Sequence, residues 1–176
     1  MYTRLPKDRI GVVIGPDGRV KREIEERTKT KLKLDSETGE VYIESGDDPL
    51  GAMKARDVVN AIARGFSSDR AFRLLEDEMQ LEIVDIRDYV GDSENALVRI
   101  KGRLIGEKGK VRKLVEDSTG SSISVYGKTV ALIGTADQLA VAREAVDMIL
   151  RGAKHSSVFR FLEDKRREMK EKFMRF

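Results

Sequence analysis

The sequence contains no cysteine and a single histidine, His155. Without thiols there is no disulfide, no thiolate zinc site and no cysteine nucleophile, and a reducing intracellular setting is the simplest expectation. A Ser/His/Asp triad or a histidine-rich metal centre would have to be assembled around His155 alone, which disfavours a conventional hydrolase or zinc enzyme. Composition leaves acid/base or magnesium chemistry open, because carboxylates are abundant. No apolar run approaches the roughly 18 residues that a membrane helix needs. The N-terminal residues have no signal-peptide core, so a soluble cytoplasmic protein is expected. Amides are scarce as well: Asn60, Asn95, Gln80 and Gln138 are the full set. That scarcity, beside a high content of charge, is the composition of proteins from very hot environments.

What the chain has in quantity is charge. Asp, Glu, Lys and Arg make up 37% of its 176 residues, yet 34 basic against 31 acidic side chains leave a net charge of only +3. A polyanion site must therefore come from uneven placement along the chain. The length suits one large domain or two small ones, and 40% apolar residues suffice for a core in either case.

An internal repeat decides between these. Gly11 to Lys21 aligns with Gly102 to Arg112, with identities at Gly11/Gly102, Ile14/Ile105, Gly15/Gly106, Gly18/Gly109 and Val20/Val111. Glu25/Glu116 and Thr28/Thr119 continue the match, and Ala55-Arg56 and Arg64-Gly65 fall on Ala142-Arg143 and Arg151-Gly152 after short shifts. Two related domains follow. Within each copy, Arg19 to Lys29 and Lys110 to Ser118 carry apolar residues at helical spacing directly after a glycine. Lys31 to Asp35 and Ser122 to Tyr126 alternate at period two and are followed, across turn signals, by Glu40 to Glu44 and Thr129 to Ile133. Leu50 to Arg64 and Ala136 to Leu150 read as closing helices capped by Asp48 and Thr135. Tyr2 to Leu5 and Leu81 to Arg87 supply a leading strand to each copy. Residues 69–94 hold nine acids and three arginines and read as a solvated connector running into the second copy's leading strand.

Gly15-Pro-Asp-Gly18 and Gly106-Glu-Lys-Gly109 each lie between two helices. Glycine there allows positive φ and close approach of another backbone, while the following helix offers unpaired N–H groups and the positive end of its dipole. One such motif could be only a tight turn; its recurrence at the same point of a repeated unit points to a phosphate clamp. Neither copy has the spacing of a P-loop or a dinucleotide fingerprint, so ATP and NAD are not implied and no cofactor is expected.

A leading strand, a helix ending in Ile-Gly-x-x-Gly, a second helix, a hairpin and a closing helix resembles the type I KH domain, whose GxxG loop clamps about four nucleotides of single-stranded nucleic acid. The low aromatic content, 6% with no tryptophan, agrees with an aliphatic groove rather than a stacking platform. The expected fold class is α+β: two type I KH domains, each a three-stranded antiparallel sheet packed against three helices, over residues 1–78, with a connector helix, and 79–152, and a C-terminal helical extension over 153–176.

The copies differ in charge. Arg99 to Lys113 holds seven basic residues against Glu107, whereas Lys7 to Arg22 holds five against Asp8 and Asp17. In the first loop Pro16 removes an N–H donor and Asp17 would face a phosphate. The second domain is therefore expected to bind RNA more strongly. Candidate contacts there are Lys101, Arg103, Ile105, Gly106, Glu107, Lys108, Gly109, Lys110, Arg112, Lys113 and Ile123. In the first domain they are Gly15, Pro16, Asp17, Gly18, Arg19 and Arg22. Ile14, Leu32, Leu34 and Val125 belong with Ile105 and Ile123 to an aliphatic set that serves mostly as core. In the tail, Val158, Leu162, Met169, Phe173 and Phe176 fall on one helical stripe that suits packing on the neighbouring domain. His155 reads as a cap or surface residue.

Ile100 to Lys110, Ile123 to Ala131 and Ser157 to Glu163 together resemble the Dim/Pno family, two-KH-domain assembly factors of the small ribosomal subunit in archaea and eukaryotes. The resemblance spans nearly the whole chain. It implies a nonenzymatic protein at the 3′ end of small-subunit ribosomal RNA, working in pre-rRNA processing beside the Nob endonuclease, the dimethyladenosine methyltransferase and an initiation factor. Eukaryotic members generally lose GxxG in the first domain; Gly15 and Gly18 make this chain resemble the archaeal ones. A KH adaptor for RNA degradation or messenger RNA, and a protein-interaction scaffold with one RNA-binding domain, are the alternatives the residues leave open.

Overall fold

The structure, a computed structural model, describes residues 1–175. The chain divides into two compact units, Met1–Leu81 and Glu82–Phe176. The first runs β1 (Tyr2–Arg4), α1 (Lys7–Ile14), α2 (Arg19–Thr28), β2 (Thr30–Leu34), β3 (Glu40–Ser45), α3 (Pro49–Ala63) and a short α4 (Ser68–Ala71). β4 (Gln80–Asp85) crosses the boundary, and the second repeats the plan from it as a short α5 (Arg87–Val90), α6 (Glu94–Ile105), α7 (Lys110–Thr119), β5 (Ser122–Tyr126), β6 (Thr129–Gly134) and α8 (Ala136–Leu150), and adds α9 (His155–Met174). The strand orders are β1-β3-β2 and β4-β6-β5, so the third strand of each unit is central. Both are the sheet-and-helix sandwiches that the α+β expectation describes.

The pairing register follows from period-two burial. Leu32 faces Ile43 and Leu34 faces Val41 across the β2–β3 ladder, with Leu32, Val41 and Ile43 buried, while Lys31, Lys33, Tyr42 and Glu44 point to solvent. The second sheet departs from this alternation: β6 is buried at all six positions, matching its unbroken Thr-Val-Ala-Leu-Ile-Gly composition. Both expected caps form. The Asp48 carboxylate accepts from the Leu50 N–H at 3.0 Å, and Thr135 and Gln138 make a reciprocal capping box.

The identities Glu25/Glu116 and Thr28/Thr119 mark a repeated junction between the second helix and the hairpin. Thr28 Oγ1 donates to the Ile24 carbonyl at 2.6 Å and Thr119 Oγ1 to Val115 at 2.8 Å. Glu25 accepts from the Leu32 N–H (2.9 Å) and Glu116 from the Ile123 N–H (3.2 Å), which fixes where the first hairpin strand starts. Both threonines are buried, so these bonds satisfy polar atoms that have lost water.

Two expectations are corrected. Residues 69–94 are not a solvated connector throughout: Ala71, Phe72 and Leu74 are buried against the first unit, and Lys54 of α3 bonds the Leu75 carbonyl and pairs with Asp77. The acids of this stretch hid three apolar residues at the positions that face α3. The tail stripe also divides. Val158 and Leu162 join the core of the second unit, but Met169 and Phe173 remain exposed; Phe176 lies outside the described residues. The helix outruns the surface it packs on.

Candidate nucleic-acid interface

Each GxxG segment is a tight turn with the same backbone. Gly15 has φ 73° and ψ 176°, and Gly106 has 75° and 173°, a region open essentially to glycine alone. A Cβ on either would meet the Cγ2 of Val20 or Val111 at 2.4 Å, which explains why the valine recurs with the glycine. The third residue of each turn, Asp17 or Lys108, is left-handed at φ 54° and 55°, and Gly18 and Gly109 follow at 73° and 74°. Gly18 and Gly109 each donate to the carbonyl of the first glycine at 3.2 Å. Among the described residues no side chain caps α2 or α7. The Arg19 and Lys110 N–H groups bond back to the Pro16 and Glu107 carbonyls, so it is the positive end of each helix dipole that lies beside the turn, where an anionic oxygen is favoured.

The helix leading to the turn carries a second feature that charge counting missed. Gly11 and Gly102 sit one turn before the loop, and a Cβ built on either meets nothing within 4 Å. Packing of the chain itself does not require glycine here, and an interior helix glycine costs roughly 0.5–1 kcal/mol relative to alanine. Its recurrence in both copies leaves a smooth helix wall. In the second domain Val98, 67% exposed, lies one turn before Gly102, with half-buried Ile105 on the same face. The first domain has Lys7, Gly11 and Ile14 in these places. The signal in the sequence was the Gly11/Gly102 identity itself.

Of the sequence candidates, Glu107, Lys108, Lys110 and Lys113 are exposed at or just after the second turn, and Lys101 and Ile105 are half-buried on α6. Pro16, Asp17, Arg19 and Arg22 are exposed at the first turn. Three candidates are held elsewhere. Ile123 is 3% exposed and belongs to the core, so its side chain does not reach a ligand. The Arg103 guanidinium donates to the carbonyls of Ile149 (3.0 Å) and Ala153, closing the C-terminal end of α8. Arg9 does the same job in the first unit, donating to Ile62 and Phe66 at 2.8 Å each. Arg112 pairs with Glu116 at 3.1 Å, as Lys21 pairs with Glu25 at 3.9 Å. His155 is tethered: Nε2 lies 3.0 Å from the Arg103 carbonyl and the ring stacks on Phe159.

Residues 2–61 match the KH domain, and residues 80–167 match the eukaryotic-type KH domain, KH-domain type I. The KH domain-containing protein MJ0443 of Methanocaldococcus jannaschii is 47% identical over 95% of this chain and 74% of its own length. The chain belongs to the KH-domain family. Other KH relatives include the pre-rRNA-processing protein PNO1 of Candida albicans, 28% identical over 84% of this chain; the match spans 54% of that protein. Among solved structures, Dim2p of Pyrococcus horikoshii shares 51% identity with a TM-score of 0.88, covering 93% of this chain and 98% of that one. The complex of a/eIF2alpha, aDim2p and rRNA from the same organism matches at 50% identity and a TM-score of 0.91, covering 96% and 94%.

Proposed function

We propose that this KH protein binds single-stranded RNA chiefly through its second domain, with the first assisting, and acts in small-subunit ribosome assembly near the 3′ end of the ribosomal RNA. The observation that carries the reading is the second turn. Gly106 and Gly109 hold the backbone open to a close partner, the start of α7 carries no side-chain cap and turns its positive dipole end to the spot, and Lys108, Lys110 and Lys113 surround it in exposed positions. Phosphates are clamped there, and Val98, Gly102 and Ile105 form the apolar wall along which bases lie. The assignment to ribosome assembly draws on the relatives: a PNO1 is a pre-rRNA-processing protein, and the Pyrococcus Dim2p was crystallised with rRNA and a/eIF2alpha. By extension the protein positions rRNA for the Nob endonuclease and the dimethyladenosine methyltransferase, without catalysis of its own, and meets an initiation factor.

The test is anisotropy with a labelled single-stranded RNA from the 3′ end of small-subunit rRNA. The double variant Glu107→Asp, Lys108→Asp replaces a cation by an anion in the clamp and is expected to lose most binding, at least tenfold in Kd. Pro16→Asp is expected to cost less than threefold. Equal losses would overturn the ranking of the domains, and no loss in either would overturn the clamp.

A further inference from the structure

We propose that the outer face of the first domain's sheet carries a docking site for a cationic protein segment, rich in arginine or lysine, seated between Tyr2 and Tyr42. This site is independent of the RNA clamp. Tyr2 and Tyr42 are paired across β1 and β3, and they are 57% and 51% exposed in a chain with few aromatic residues. Hydrogen bonds join Met1 with Ile43 and Leu5 with Gly39 on this ladder. Tyr2 and Tyr42 therefore occupy a non-hydrogen-bonded pair, the position where cross-strand side chains come closest. Their rings border a shallow concavity of about 590 Å³ whose charged lining is Asp35, Glu37, Glu40 and Lys33.

The charge of that lining selects the occupant. Three carboxylates face one ammonium group, and Lys33 has its ion pair at Glu44, outside the concavity, at 3.9 Å. Arg4 stands beside the site and directs Nε to the Thr38 carbonyl at 3.2 Å. Asp35 accepts from the N–H groups of Glu37 and Thr38, and these bonds hold its carboxyl below the usual range, so it stays anionic. The Tyr2 hydroxyl donates to Glu40 at 2.7 Å, which fixes the ring beside a second carboxylate. A phosphate placed here would meet these carboxylates. An ammonium or guanidinium group would meet them as partners and have an aromatic face to lie on. The opposite face of the same sheet, with Val41 and Ile43, is closed by the core.

The experiment uses the full chain at low salt with a fluorescein-labelled nona-arginine peptide, and with a labelled oligouridine as the competing chemistry. The double variant Tyr2→Ala, Tyr42→Ala is expected to weaken peptide binding about tenfold, two cation–π contacts each being worth roughly two- to fivefold at an exposed site. Tyr42→Phe keeps the ring and is expected to retain wild-type affinity. Glu37→Lys, in an exposed turn that does not threaten folding, is expected to weaken the peptide severalfold. Glu107→Asp, Lys108→Asp is expected to leave it unchanged. Peptide binding that is absent, or that ignores the tyrosines, overturns the proposal; so does oligouridine binding that falls with the tyrosine pair, which would make the face an RNA platform.

Discussion

The two GxxG turns share one backbone and carry opposite chemistry. Between the outer glycines the first holds Pro16-Asp17 and the second Glu107-Lys108, yet the φ angles at the left-handed third residue differ by one degree. Shape is therefore set by the glycines and by the valine each packs against, and charge is left to the residues between. That division lets one domain be tuned for affinity without disturbing the fold of either. Breaking the shared part should consequently hurt both domains alike, whereas changing the variable part should separate them.

The largest effect is expected from Gly106→Ala and its counterpart Gly15→Ala. A methyl group at either would be forced 2.4 Å from a valine Cγ2 and within 2.9 Å of the valine backbone nitrogen, at a φ that side chains rarely adopt. Backbone strain and overpacking together should cost about 2–5 kcal/mol. Chemical denaturation of the two variants should show losses of similar size. A large loss in one domain only would show that the turns are not equivalent supports.

The repeat made most of this legible in advance. Helix, turn and hairpin could be placed because glycine, capping and period-two signals recurred at matched positions, and a coincidence in one copy was checked by the other. Residues 69–94 escaped for the opposite reason. Ahead of the second leading strand they have no repeated partner, and Asp69, Glu76, Asp77 and Glu78 mask Ala71, Phe72 and Leu74, whose burial depends on α3. The side chains of Arg103 and Ile123 point away from the turn, because neither a charge window nor a period-two pattern by itself says which way a side chain faces. Arg103 turns to the end of α8, a partner 46 residues away, and Ile123, between Ser122 and Ser124 on β5, is on the inward phase of the strand at 3% exposure. Val98 and Gly102 carry no charge and so stood outside a search led by charge.

The junction threonines offer a finer comparison. Thr119→Val removes the donor to the Val115 carbonyl, the 2.6 Å bond shared with Ser121 Oγ and the acceptor of the Ser121 N–H. Thr28→Val removes the equivalent donor and the bond to Thr30. Each should destabilise by about 1–2 kcal/mol, as buried partners are left unpaired. Urea melts should place Thr119→Val slightly below Thr28→Val, reflecting its extra backbone bond; the reverse order would contradict that accounting.

Gly11 and Gly102 separate stability from binding. Because a Cβ finds open space at both, Gly102→Ala and Gly11→Ala should each raise stability by about 0.5–1 kcal/mol through helix propensity alone. If the helix wall beside the turn lies against RNA, Gly102→Ala should at the same time weaken RNA binding, and more than Gly11→Ala does. Thermal denaturation paired with RNA titration checks both halves. A variant that binds RNA as before would remove Gly102 from the interface and leave its recurrence without a role.

The smallest expected effect is electrostatic and belongs to the second domain. Asp85 accepts from the Arg87 side chain, with Nη2 to Oδ2 at 2.6 Å, and from the Arg87 N–H at 2.9 Å. The Arg87 guanidinium is the main cause that lowers its pKa to about 2. A carboxyl depressed by folding stabilises the native state fully above its ordinary value near 4, and that contribution fades as the pH falls toward 2. Both side chains are a third or more exposed, 33% for Asp85 and 43% for Arg87, so solvent screening holds the effect below about 1 kcal/mol. Asp85→Asn should therefore cost little at pH 7 and flatten the loss of stability between pH 5 and pH 2, measured by urea denaturation at each pH. The comparable anion of the first domain, Asp35, is lowered by backbone N–H groups and no arginine. Salt should weaken the Asp85 contribution more than that of Asp35, because an exposed ion pair is screened while a turn's own hydrogen bonds are not.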